Sequence, residues 1–217
     1  MNQEQESIPE DAGMCPHGNF PESCESCRQE EEQRQERISQ LEQSLEQAET
    51  DKERQWITAQ IEMEKINDGL GLEVDEGIKE SVTALMAHEF PLSGSCEGHA
   101  DRGLPYPWID VSLELPQDRL ELRGRERVQY VKKMRAEHQP YQERLLQLLD
   151  EFYREHPSEN RFVMEPRGVF GSFRIQPENA EVMVAQEDVG EKEADLESSR
   201  GDMQALAEFL KSKFFQE

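Results

Sequence analysis

The sequence predicts an α+β protein in which about four antiparallel strands form a sheet covered by helices. A zinc module and a long charged helix of coiled-coil type precede the sheet. Three observations carry this reading. Ile109, Val111, Leu113 and Leu115 alternate with Asp110, Ser112 and Glu114, the two-residue period of a strand with one buried face. Apolar residues elsewhere recur at steps of three and four, the period of an amphipathic helix. Turn residues at Pro166-Arg-Gly168 and Pro177-Glu-Asn179 divide the stretch from Phe162 to Val184 into short β-like runs, which suits an antiparallel meander.

The first element is Cys15-Pro-His17-Gly-Asn-Phe-Pro-Glu-Ser-Cys24-Glu-Ser-Cys27, a C-x-H-x6-C-x2-C array that holds three of the four cysteines. Tetrahedral zinc takes four nitrogen or sulfur donors, and a C-x2-C pair lets two thiolates meet one ion from a single turn. Cys15, His17, Cys24 and Cys27 are therefore the expected metal ligands and zinc the expected cofactor, in a module spanning residues 1–28. So short a segment cannot build an apolar core, and a structural zinc site contributes roughly 10 to 16 kcal/mol in small peptides. With four protein donors the site would be closed, hence structural or adhesive. The start Met-Asn-Gln-Glu-Gln-Glu has neither a basic region nor an apolar core of the secretory kind, and no stretch approaches the length of a membrane span. A cytoplasmic location without a membrane partner is expected, where clustered cysteines favour metal. Free thiols in a tail, or disulfide partners in a secreted chain, are the competing readings. The spacing resembles small C-x-H…C-x2-C zinc modules found at the ends of otherwise unrelated proteins.

Residues 29–68 are rich in Glu, Gln and Arg. Their apolar positions Ile38, Leu41, Leu45 and Ala48, then Trp56, Ala59, Met63 and Ile66, form a narrow stripe that Lys52 interrupts. One charged helix is expected, pairing with a protein partner or a second copy of the chain, or else serving as a solvated spacer. An α+β domain is expected over residues 69–186, after the turn cluster Asn67-Asp-Gly-Leu-Gly71. In it, Asp75 caps a helix carrying Ile78, Val82, Leu85 and Met86, Pro116 stops the strand over 109–115, and a helical block over 125–156 is kinked or divided at Pro140. The strands at 162–164, 170–176 and 182–184 would complete the sheet. Residues 187–200 read as an acidic linker and 201–217 as a C-terminal amphipathic helix.

The chain of 217 residues carries a net charge of -24, of which residues 1–68, with 18 acids and 6 bases, hold half. Such a field repels nucleic acid. The exception is Arg119 to Arg135, where seven bases face two acids; it could contact an anionic ligand or an RNA, or be a solvated helix face.

The densest run of reactive side chains is Ser93-Gly94-Ser95-Cys96-Glu97-Gly98-His99-Ala100-Asp101-Arg102-Gly103. Loops placed by a rigid scaffold commonly carry function. Cys96 is a candidate nucleophile if a helix end or an imidazole favours its thiolate, His99 can supply that imidazole, and Asp101 or Asp110 can orient it. Cys96, Glu97, His99, Asp101 and Asp110 are the expected ligand-binding residues. A small buried cysteine beside a hydrogen-bonded histidine would look the same.

With the preceding helix and Pro105-Tyr-Pro107-Trp108-Ile-Asp110, this run resembles a family of bacterial proteins that carry a Ser-Cys-Glu-Gly-His motif, over about residues 70–115. That resemblance implies no activity and carries no functional residues with it. More distantly, the loop is similar to that of the wybutosine-synthesis methyltransferase family, Ser-Ser-Cys-Ser-Gly-Arg: Cys96 and Gly98 match, while His99 replaces Arg and Glu97 replaces Ser. The expected function is that of a cytoplasmic zinc-binding adaptor whose α+β domain binds a ligand or partner at the Cys96–His99 loop. The alternative is a nucleotide- or RNA-modification enzyme in which Cys96 and His99 act directly.

Overall fold

The computed structural model describes residues 24–67, 73–115, 119, 121–158 and 160–216. Cys15 and His17, the turn cluster at 68–71 and the strand stop at Pro116 lie outside the described residues. The chain divides into two units between Glu73 and Val74.

In the first unit the expected single helix is two, α1 (Glu25–Gln47) and α2 (Asp51–Glu64), folded against each other as a hairpin. The break is local chemistry. Thr50 Oγ1 accepts the Glu53 amide at 3.1 Å, and Glu53 returns a carboxylate oxygen to the Thr50 amide at 2.9 Å. This capping box starts a new helix just where Lys52 interrupts the apolar stripe, and such a cap contributes about 1 kcal/mol. Arg37 of α1 reaches Glu64 at 2.9 Å and Glu73 at 2.6 Å, so a buried carboxylate near the end of α2 is neutralised from across the hairpin. Ile38, Trp56, Ala59 and Met63 are buried, while Leu41 and Leu45 stay half-exposed.

The second unit is the α+β domain. Its four strands are β1 (Leu92–Cys96), β2 (Trp108–Val111), β3 (Phe162–Arg167) and β4 (Ser172–Pro177). They form one antiparallel sheet in the order β1-β2-β4-β3. Helices α3 (Lys79–Ala87), α4 (Gly124–Glu155), α5 (Ala180–Ala185) and α6 (Val189–Gln216) complete it. The alternation at 109–111 works as expected: Ile109 and Val111 pair with Ile175 and Phe173, and all four are almost fully buried, each contributing on the order of 2 kcal/mol. Among the described residues no helix is long and apolar enough to cross a membrane.

Three expectations are corrected. The strand expected over 109–115 stops at Val111, because the Ser112 amide turns to Pro91 O at 2.8 Å and the Leu113 amide to His138 Nε2 at 3.0 Å. Val182-Met-Val184 lies in helix α5, with Met183 buried and both valines exposed; three residues out-in-out suit a helix turn as well as a strand. The fourth strand is instead β1, whose Ser93-Gly94-Ser95 offers backbone pairing and little apolar signal. The acidic linker at 187–200 is the first half of α6, where Leu196, Ser199 and Met203 continue the buried stripe and the acids occupy the other face. Of the two outcomes expected at Pro140, division does not occur: α4 runs through it with the proline ring exposed.

Helix α6 lies along α3. The Nε2–H of buried His88 donates to Leu210 O at 2.9 Å, Ser81 Oγ donates to Met203 O at 3.3 Å, and Glu80 accepts from Gln204 and Lys211. Helix α4 meets α6 through Phe152 and Phe209 and receives the β3–β4 turn at Gly171. That glycine has φ of 97°, and a Cβ there would lie 3.0 Å from Arg135 Cα.

His138 is fully buried with both ring nitrogens used: Nδ1–H donates to Met134 O at 2.7 Å while Nε2 accepts the Leu113 amide. Replacing it with alanine leaves that amide unpaired beside a cavity, so His138→Ala should cost about 2 to 5 kcal/mol in denaturant unfolding. A second expectation concerns pH. Burial pushes the Tyr153 hydroxyl from 10.0 up to about 12, against the opposing effect of the Phe162 amide it accepts. Because the folded value is the higher one, the stability tied to the protonated phenol is present below pH 10 and is lost as pH rises through about 12. Alkaline absorbance titration should show Tyr153 ionising late, and Tyr153→Phe should remove that step.

Candidate functional site

The site forms where the start of helix α3 meets the end of edge strand β1. Asp75 occupies the N-cap position of the short 3-10 turn Glu76–Ile78 that leads into α3, yet its carboxylate makes no capping bond. It accepts the Glu97 amide at 3.0 Å instead. Glu97 reciprocates, its Oε2 accepting the Gly77 amide at 2.8 Å. The two segments therefore exchange caps: the loop's carboxylate satisfies the helix start, and the helix's acid satisfies the loop.

Helix α6 locks this arrangement. Arg200 donates to Glu97 O at 3.1 Å, to Glu97 Oε1 at 3.0 Å and to Gly98 O at 2.6 Å. Gly98, at φ of 81°, passes so close beneath Tyr106 that a Cβ would lie 2.5 Å from its carbonyl carbon. Only glycine fits there. The His99 amide then donates to Leu104 O at 3.0 Å and closes the turn.

This framework brings Asp75, Cys96 and His99 together, with one donor atom from each lying within 4.8 Å of the others. His99 Nε2 and Asp75 Oδ2 are 3.6 Å apart, and both side chains are part-exposed, at 19% and 32%. The Gly98 amide donates to Cys96 Sγ at 3.4 Å. Burial pushes the Cys96 thiol up; the Gly98 amide opposes that push, and the carboxylates of Asp75, which also accepts from the thiol, and Glu97 reinforce it. The group is therefore a thiol and a poor nucleophile at neutral pH.

The other expected ligand-binding residues are placed differently. Glu97 adjoins the cluster but spends its carboxylate on Gly77 and Arg200. Asp101 is exposed in the loop and outside the cluster. Asp110 does not serve His99: it faces Arg174, which donates to both its oxygens at 2.7 Å and lies 3.7 Å over the Trp108 ring. Sequence reasoning missed Asp75 as a site residue, having read it as a plain helix cap, and missed Arg200, which lay in the supposed linker. No local pattern signals either contact.

Of the expected amino-terminal zinc ligands, Cys24 and Cys27 are described. Cys24 is the buried N-cap of α1, its carbonyl accepting the Arg28 amide at 3.1 Å, and Cys27 sits in the first turn. The basic run from Arg119 leads into the first turns of α4, where Arg125, Arg127, Lys132, Lys133 and Arg135 are exposed and Met134 is the first buried residue.

Since the Asp75 charge helps hold the Cys96 thiol protonated, Asp75→Asn should speed alkylation of Cys96 by iodoacetamide in metal-free protein, read by peptide mass mapping at pH 8. An unchanged rate would leave burial as the whole cause. No protein-family model, curated protein or solved structure matches this chain, so the site is read on its own geometry and donor chemistry.

Proposed function

We propose that this chain is a zinc-binding adaptor of the cytoplasm whose α+β domain takes a ligand or partner at the Cys96–His99 loop. The observation that carries the reading is the loop itself. Arg200, Asp75 and Leu104 pin its backbone, while Cys96 and His99 remain part-exposed beside Asp75. A rigid, satisfied frame around accessible donor side chains is the arrangement that binding sites use.

Zinc at the amino terminus would be held by Cys15, His17, Cys24 and Cys27. The C-x2-C pair at the start of α1 supports this, since an N-cap and its first turn present both sulfurs from one helix end. The hairpin α1–α2 offers the surface for a protein partner or a second copy, with Leu41 and Leu45 half-exposed along a charged face. The enzyme reading is favoured by the exposed bases at the start of α4, which could receive phosphate. It also needs Cys96 as a thiolate, which burial and the neighbouring carboxylates oppose.

Native mass spectrometry of the full chain checks the zinc module. Changing Cys24→Ser together with Cys27→Ser should lower the metal content by one zinc per chain; unchanged content would remove the module from the reading.

A further inference from the structure

The cluster of Asp75, Cys96 and His99 joins two segments 21 residues apart in sequence and offers oxygen, sulfur and nitrogen donors to one point. This mixture is selective. Calcium and magnesium take oxygen ligands, whereas a thiolate with an imidazole and one carboxylate suits zinc and its neighbours in the transition series. Zinc bonds of about 2.0 to 2.3 Å at tetrahedral angles place donor atoms about 3.3 to 3.8 Å apart. The Asp75–His99 pair already stands at 3.6 Å, and all three atoms lie within 4.8 Å of one another, so the closure still needed is about 1 Å.

Two of the three donors, Asp75 and Cys96, are also held from behind, as metal ligands characteristically are. Asp75 is fixed by the Glu97 amide, and the Gly98 N–H points at Cys96 Sγ, a bond that a thiolate accepts more strongly than a thiol. Glu97, the acid that adjoins the cluster, is already balanced by Arg200. Ionised Asp75 and Cys96 with neutral His99 carry two negative charges, which a divalent ion cancels.

Resting on the reading of this loop as a binding site, we propose that Asp75, Cys96 and His99 form a second zinc site, separate from the amino-terminal cysteines. Its fourth position is open to water or to a small anionic ligand. Zinc displaces the proton of the Cys96 thiol to solvent, forming the Zn–S bond as the S–H bond is lost, so uptake releases one proton. The three donors belong to the protein and the part-exposed edge at His99 and Asp75 faces outward, so the external ligand enters on the metal.

The test uses the full chain carrying Cys24→Ser and Cys27→Ser, stripped with a chelator and reloaded with cobalt(II) or zinc. One equivalent of metal should bind, with a thiolate-to-cobalt charge-transfer band, and azide should shift the cobalt spectrum through the open position. Adding Cys96→Ser should abolish the band. Asp75→Asn keeps an acceptor for the Glu97 amide, so the loop stays folded, and should weaken binding by about tenfold or more. No uptake by the Cys24→Ser, Cys27→Ser chain, or a band that survives Cys96→Ser, overturns the site; a cobalt spectrum indifferent to azide overturns its open position. Loss of the amino-terminal zinc is read separately, from the difference between wild type and the double variant, so the two sites fail independently.

Discussion

The Arg200 guanidinium is the interaction on which the site depends. One side chain from the middle of α6 engages two backbone carbonyls and one carboxylate of the same loop, all within 3.1 Å. Three charge-assisted or carbonyl bonds from one planar group fix orientation as well as position. Since α6 is itself anchored to α3 by Ser81, His88 and Glu80, the clamp transmits the rigidity of that helix pair to the end of β1. The loop is thus held by the core without being part of it.

The exchange of caps at the start of α3 has an electrostatic result. An acid at the N-cap would ordinarily satisfy its own helix. Here Glu97 takes over that duty and is neutralised by Arg200, while Asp75 is turned toward Cys96 and His99. Of two neighbouring carboxylates, one is spent on architecture and the other is left facing a thiol and an imidazole. Asp75 raises the thiol's affinity for a proton, and the same negative field would favour the divalent cation proposed to replace it.

How much of this was legible depended on the range of each interaction. Cys96 and His99 stand three residues apart in a glycine-rich loop, and their reactive types mark them without any knowledge of the fold. Asp75 and Arg200 come from far along the chain, and the periodic patterns that reveal helices say nothing about which helix end meets which loop. The α+β class and strands β2 and β4 followed from alternation that burial enforces at Ile109, Val111, Phe173 and Ile175. Strand β1 was hidden because an edge strand of Ser, Gly and Cys is held by ladder bonds and carries no apolar alternation to detect. The first half of α6 was hidden by its charges, which mask a stripe continued by Leu196 and Ser199.

Asp110, one of the three carboxylates expected at the site, shows why charge in a loop-proximal strand is weak evidence for chemistry. It sits opposite Gly94 in β1 and Arg174 in β4, and Arg174 is nearly buried. Taking one partner from a buried ion pair leaves the other uncompensated, at a cost of about 3 to 5 kcal/mol, so this pair is committed to the sheet. Its reach nevertheless extends to the site. Arg174 lies over Trp108, Trp108 is the ladder partner of Cys96, and a Cβ on Gly94 would touch the Trp108 ring at 3.4 Å. The buried charge therefore lies over the tryptophan that pairs with the last residue of β1, and the thiol stands at that end beside Asp75 and His99.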